Sequence, residues 1–295
     1  MNMLSFIHWN PDVIAFSLGA IDVRWYSLFW CIGLISVYHI MHYLYKKQNI
    51  GEDKFEPMFI YCFLGILIGA RLGHCLFYEP SYFLSHPVEM FLPIGKGIDG
   101  EWHFTGYAGL ASHGGTIGLM ITLLLYSRKT KLNIMRVLDN VAIVTPVCAC
   151  SIRLGNLMNS EIIGKPTDLP WAFVFESVDM QPRHPGQLYE AICYAIIFII
   201  SFCIYRKSLM LQNNTSEKKL LLDIRVGTGF YFGLCLFLIF LSRIFIEFTK
   251  DIQVDFESTM ILNMGQLLSI PFVIIGLYCM LGGKYCRKFS EYIYK

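Results

Sequence analysis

The chain of 295 residues is 55% hydrophobic, 15% aromatic and only 16% charged, and its mean hydropathy is +0.50. That is too apolar for a soluble domain of this size, so a soluble helical protein with a large buried core is set aside in favour of a chain that lives in lipid. The formal net charge of +2 says little by itself, and no nucleic-acid partner is expected; where the charges fall says more.

A membrane span needs about 20 apolar residues at a rise of about 1.5 Å each. The first 24 residues have no basic n-region and contain Pro11. They therefore read as an outer, interfacial lead-in ("FSLGAIDVRWY") rather than a secretory signal. Seven apolar runs follow, at 25–45, 57–78, 105–126, 137–157, 186–205, 226–248 and 263–281. Backbone N–H and C=O groups must be satisfied internally in lipid, which makes these runs helices. The expected fold class is all-α: a polytopic integral membrane protein of seven transmembrane helices, forming one transmembrane domain over 1–295.

The connections alternate in charge. After the first, third, fifth and seventh runs come Lys46, Lys47 and Lys54, then Arg128, Lys129, Lys131 and Arg136, then Arg206, Lys207, Lys218, Lys219 and Arg225, then Lys284, Arg287, Lys288 and Lys295. The opposite side holds Arg24, Lys96, Lys165, Arg183 and Lys250. The positive-inside rule places the first set, with the 206–225 loop, in the cytoplasm. The N-terminus then lies outside, and the long connections 79–104 and 158–185 are periplasmic. These two are rich in Pro, Trp and Phe, which argues for ordered, functional loops. The ten cysteines show no CxxC, and Cys148 and Cys150 are two apart; they read as small apolar fillers.

Ionisable groups inside a bilayer mark function by default. Here they gather toward the outer ends of the runs. Arg71 sits in "LIGARLGHCLFY" and His113 in "GLASHGGTIGL". Arg153, Asn156, Asn159 and Glu161 close the fourth run in "RLGNLMNSEIIGKP", Glu190 opens the fifth, and Arg243 and Glu247 stand four apart in the sixth. That spacing puts the last two on one helix face. Arginine is the side chain for bidentate phosphate recognition, and lipid headgroup phosphates lie at this depth. Gly65, Gly69 and Gly73 form a small-residue stripe for close helix approach, and Gly114 with Gly115 leaves room beside His113. The residues alone imply an outer-leaflet cavity for an anionic phosphate group. They do not by themselves give a reaction.

On these residues the chain resembles the bacterial prolipoprotein diacylglyceryl transferases. "RLGNLMNSEIIG" is similar to that family's signature, here Arg153, Gly155, Asn156, Asn159, Glu161 and Gly164. "HGGTIG" supplies the family's histidine as His113, and "RWY", "GARLGHCLFY", "RHPGQLYE", "SRIFIEF" and "MGQLLSIP" follow the family's blocks in order, from about Asn10 to Pro271. Ile152 stands where a glycine is usual, Leu157 for a phenylalanine, Ser160 for a glycine and Gly186 for a serine.

The resemblance implies an enzyme of the bacterial inner membrane that moves a diacylglyceryl group from phosphatidylglycerol to the lipobox cysteine of a preprolipoprotein, with glycerol phosphate leaving. A thiol must lose its proton to attack carbon, and His113 is the candidate base, with Glu247 or Glu161 as alternatives. Arg153 and Arg243 would stabilise charge on the leaving phosphate, with Glu247 orienting Arg243. Tyr26, Arg71, Asn156, Asn159 and Glu161 would bind the lipid headgroup or shape its pocket, and Gly164 would permit the turn after the fourth span. No metal or organic cofactor is implied. The partners are phosphatidylglycerol and the signal peptide, both entering from the lipid. A transporter would need an inward polar path, for which the inner halves offer only Asp139. A hydrolase would need a Ser–His pair, and Ser112 is merely adjacent to His113. A non-catalytic lipid-binding protein differs only in an assay.

Overall fold

The computed structural model describes residues 6–19, 21–92, 94–96, 101–104, 109–213, 223–251 and 262–282. Lys218, Lys219, the tail basic residues Lys284, Arg287, Lys288 and Lys295, and residues 105–108 at the head of the third expected span lie outside them. The elements in chain order are strands β1 (Ile7–Trp9), β2 (Ile14–Leu18) and β3 (Ile21–Arg24), then helices α1 (Trp25–Lys47), α2 (Glu52–Phe77), α3 (Pro80–Ser85) and α4 (Pro87–Phe91). Strands β4 (Ile94–Lys96) and β5 (Trp102–Phe104) precede α5 (Ser112–Thr130) and α6 (Ile134–Met158). Strands β6 (Phe173–Phe175) and β7 (Pro182–Arg183) lead to α7 (Gly186–Asn213), α8 (Phe230–Ile246), a 3₁₀ turn (Glu247–Thr249) and α9 (Met264–Met280).

Five helices, α1, α2, α6, α7 and α8 with its 3₁₀ turn, are long and apolar enough to cross a membrane. The other two expected spans are helical but differ in kind. α5 begins at Ser112, and its apolar stretch is shortened by "SHGGT" at one end and Arg128 and Lys129 at the other. α9 is apolar but has 17 residues. The all-α expectation also needs correction: the connections carry short strands. β2 and β3 form an antiparallel hairpin that runs directly into α1, and β4 pairs with β5. β1 joins β6 in parallel, and β6 pairs antiparallel with β7. These segments lie outside the helices, where short ladders satisfy part of the backbone.

The described residues form two compact units, one from those up to Leu44 together with 138–282, the other from Tyr45–Val137. The second is built on α2 and α5. Their seam is glycine: a Cβ on Gly69 or Gly73 would strike Gly114, one on Gly65 would strike Thr122, and one on Gly118 would strike the Gly65 carbonyl. Backbone thus meets backbone, as small-residue stripes allow. Gly114, expected to leave space beside His113, is spent on this close approach.

In the first unit, α1 and α6 touch where Gly33 meets Ser151, and α8 and α9 where Gly233 meets Gly276. Tyr205 of α7 packs edge-on against Tyr231 of α8, and Phe240 stacks on Phe272 at 4.4 Å. Asp139, fully buried at the start of α6, accepts from the Gly227, Gly229 and Phe232 amides at 2.8, 3.0 and 2.9 Å. It caps the start of α8, satisfying donors that the helix leaves open. At the opposite end of α6, Trp9 Nε1 donates to the Leu157 carbonyl at 2.9 Å, and Leu157 packs with Phe173 and Phe175. The β1–β6–β7 sheet is thereby fixed to the end of α6 that carries Arg153.

Candidate functional site

The last turn of α6 carries Arg153, Gly155 and Asn156, and the chain then turns tightly. The Asn159 and Glu161 amides donate back to the carbonyls of Gly155 and Asn156, and Ser160 and Ile162 take left-handed conformations at φ 54° and 58°. That is costly for a β-branched residue, and it explains why glycine suits position 160. Gly164 has no positive φ. Its expected role as the turn residue is corrected to a steric one: a Cβ there would meet the Thr249 carbonyl and His184. Its N–H donates to the His184 carbonyl at 2.8 Å, and its neighbour Lys165 donates to Thr249. The glycine lets three chain segments close over one another.

The turn presents a polar relay. Arg153 Nη1 donates to Asn156 Oδ1 at 3.2 Å, Asn156 Nδ2 to Glu161 Oε2 at 2.8 Å, and Asn159 Nδ2 to Glu161 Oε1 at 3.1 Å. Tyr26, in the first turn of α1, lies against Gly155, where a Cβ would sit 2.9 Å from its ring.

On the other side Arg153 meets a carboxylate that the sequence reading had noted but not placed in the site. Arg153 Nε lies 2.5 Å from Oε2 of the fully buried Glu190, a charge contact whose N–H is not aimed along the line of a hydrogen bond. Tyr194, one turn further along α7, also interacts with Arg153. Glu190 Oε1 accepts from Lys250 Nζ at 2.9 Å, and Lys250 donates to Glu247 Oε2 at 3.2 Å. Glu247 Oε2 is 3.9 Å from Arg243 Nε, a loose i,i+4 pair. Arg153, Glu190, Lys250, Glu247 and Arg243 therefore form one chain of charges, with three cations against two anions. Lys250 was read from sequence as an ordinary outer-loop lysine. Its signal was the i,i+3 step from Glu247; its partnership with Glu190, sixty residues away, left no local trace.

Glu247 is held from a further direction. A Cβ on Gly265 would stand 2.6 Å from its carboxyl carbon, so the carboxylate rests on the first turn of α9. The partial positive charge of a helix start favours an anion there. Asn263 and Gln266 form a capping box, and Gln266 Nε2 donates to the Ile244 carbonyl at 3.1 Å, tying this turn to α8.

The connection 158–185 is braced by Arg183, which donates to Asp179 at 2.6 and 3.0 Å, to Asp251 at 2.8 Å and to the Gly164 carbonyl at 3.2 Å. The Arg183 guanidinium holds the Asp179 carboxyl below the usual carboxylate range. Burial, helped by Lys165, pulls the His184 imidazole down.

In the second unit, Arg71 is buried, and its guanidinium donates to the carbonyls of Glu89 at 2.6 Å and Met90 at 3.2 Å while lying 4.7 Å from the centre of the Phe83 ring. His113, in the first turn of α5, is exposed and has no hydrogen-bond partner among the described residues. Among the described residues no group of three or more His, Cys, Asp and Glu side chains converges as a metal site.

Residues 13–282 match the family model described as prolipoprotein diacylglyceryl transferase. A protein of Bacteroides fragilis named phosphatidylglycerol–prolipoprotein diacylglyceryl transferase is 58% identical over 95% of this chain and 96% of its own length. Proteins of the same name from Tolumonas auensis and Porphyromonas gingivalis are 40% and 39% identical, over 93% and 95% of this chain and 96% of each relative. The chain therefore belongs to the prolipoprotein diacylglyceryl transferase family.

Proposed function

We propose that the protein transfers the diacylglyceryl group of phosphatidylglycerol to the lipobox cysteine thiol of preprolipoproteins. The thiol loses its proton to a base, and the sulfur attacks the glyceryl carbon. The C–O bond to phosphate breaks, a thioether forms, and glycerol phosphate leaves with the electron pair. The observation that carries the reading is the chain from Arg153 to Arg243. With three cations paired directly with two buried carboxylates, it carries one surplus positive charge, which a headgroup phosphate matches. Arg153 and Arg243 face the charge that grows as the C–O bond breaks; one preorganised donor in such a site is worth about 3 kcal/mol.

His113 is the base in this reading. Both Glu161 oxygens already accept from asparagine amides, and Glu247 is occupied by Lys250 and the start of α9. The exposed imidazole has no such engagement, and histidine is the side-chain type best suited to proton transfer near neutrality. Tyr26, Asn156, Asn159 and Glu161 line the headgroup position beside Arg153. Arg71 serves the lipid site by holding the segment around Glu89, and Gly164 by closing the chain over it. α5 and α9 complete seven spans, with the N-terminus outside and the C-terminus in the cytoplasm of the bacterial inner membrane. The charged chain lies at one end of the first unit, while Arg206, Lys207 and Arg225 belong to the other end, as that orientation requires.

The test is transfer by the purified protein from phosphatidylglycerol to a lipobox peptide, followed by mass spectrometry. The expected product is heavier by one diacylglyceryl unit, with glycerol phosphate released and nothing transferred when the cysteine is serine. Absence of product from folded, lipid-binding protein refutes the reading. His113→Gln keeps size and hydrogen bonding without basicity. It is expected to lower turnover by about 100-fold or more; near-normal turnover at neutral pH removes the histidine from the mechanism.

A further inference from the structure

A lysine buried in the outer end of a helix bundle needs a reason. Lys250 is 5% exposed and stands between two carboxylates, 2.9 Å from Glu190 and 3.2 Å from Glu247. Each of those carboxylates has one further cation: Arg153 on Glu190 and Arg243 on Glu247. Buried ion pairs contribute little net stability, because desolvation offsets their attraction. Breaking one by removing a single partner is harmful, because the other charge is left alone. What the arrangement gives is fixed spacing: a single ammonium spans α7 and the turn after α8, and so links the two arginines through their carboxylates.

We infer that Lys250 is a positioning residue: it holds Glu190 and Glu247 at a fixed spacing, so that Arg153 and Arg243 stay aimed at one phosphate. The backbone agrees with this placement. The Lys250 N–H donates to the Glu247 carbonyl at 3.2 Å, Gly164 and Lys250 form a β-bridge, and Lys165 donates to the Thr249 carbonyl. The lysine is thus pinned to the same chain crossing that Gly164 permits. The ammonium's three rotatable donors serve two acceptors on different elements from one point charge. The charged and titratable groups around the pair of carboxylates are Arg153 on α6, Tyr194 and Cys193 on α7, and Arg243 on α8. None of these replaces an ammonium between Glu190 and Glu247.

The inference rests on the proposal that the two arginines bind the phosphate, and the experiment separates the two. Turnover and the apparent KM for phosphatidylglycerol are measured at neutral pH for wild type, Lys250→Met and Lys250→Arg. Helical circular dichroism and melting temperature are followed in the same detergent. Folded Lys250→Met is expected to lose turnover about 10- to 100-fold, as supporting partners of a reactive group typically do. Lys250→Arg, which keeps a cation between the two carboxylates, is expected to restore most of the rate. A folded Lys250→Met with wild-type rate overturns the inference, as does a loss that arginine does not rescue. If Lys250→Met does not fold, the charge-balanced double variant Glu190→Gln/Lys250→Met is measured instead. It is expected to fold and to have a low turnover, and a wild-type rate overturns the inference. Arg153→Lys and Arg243→Lys are run beside these. Full activity in both refutes the phosphate-binding reading itself, whereas their loss with a normal Lys250→Met refutes only the role of Lys250.

Discussion

The two ends of α6 each meet a fully buried carboxylate, Asp139 at one and Glu190 at the other. Asp139 is surrounded by three backbone amides that belong to one helix start and cannot move without unwinding it. Glu190 is surrounded by Arg153 and Lys250, side chains with rotatable stems. The first arrangement is complete in itself and has no use for a ligand. The second carries surplus positive charge through Arg243, which is partly exposed and only loosely paired with Glu247. Both are carboxylates and both are fully buried; what differs is the donor set around each.

Substitutions at the two ends should therefore separate rate from stability. Arg243→Lys keeps the charge of the working end but loses the planar fork that fits a phosphate. The expected result in the transfer assay is a fall in turnover of about 100-fold or more with little change in melting temperature. Full activity would reduce Arg243 to a generic cation. At the other end, Asp139→Ala strips the cap from α8 and leaves buried amides unsatisfied. It should lower stability by about 3 kcal/mol, seen as an earlier thermal transition in detergent, while turnover per folded molecule stays near wild type. A variant that melts normally but turns over slowly would place Asp139 in the site and erase the distinction.

The same contrast describes what could be read from sequence. Apolar runs of span length are local, so α1, α2, α6, α7 and α8 were legible, and even α5 and α9 were found as helices. Arg153, Asn156 and Glu161 were legible as a polar cluster, because all lie within nine residues, but the hydrogen bonds that join them were not. The pairing of Lys250 with Glu190 was not: no periodicity joins residues on two elements, and a lone lysine after a span looks like any loop cation. The parallel ladder between Ile7–Trp9 and Phe173–Phe175 was hidden for the same reason. Gly164 shows a subtler gap. A glycine after a helix suggests a turn, yet here Ser160 and Ile162 make the turn, and Gly164 is small because Thr249 and His184 crowd it. Only the fold reveals which of a glycine's two virtues is in use.

Asp179 offers the mildest case, an ion pair outside the spans. Arg183 reaches it with two donors while also holding Asp251 and the Gly164 carbonyl. Because Arg183 lowers the Asp179 carboxyl below its ordinary range, the folded state favours the ionised form. The stabilisation is present above the unfolded carboxylate range near pH 4 and is lost as pH falls through the lowered folded value. Asp179→Asn should remove that acid dependence and little else. The pair is partly exposed and screened by salt, so the loss at neutral pH should stay below about 1 kcal/mol and shrink as salt is added. Melting curves taken at neutral and acid pH, at low and high salt, test this directly. A large neutral-pH loss that salt does not reduce would mean that the brace from Arg183 to Gly164 depends on Asp179. The 158–185 connection would then belong with the working end of α6, as a part whose charges cannot be altered without moving the site.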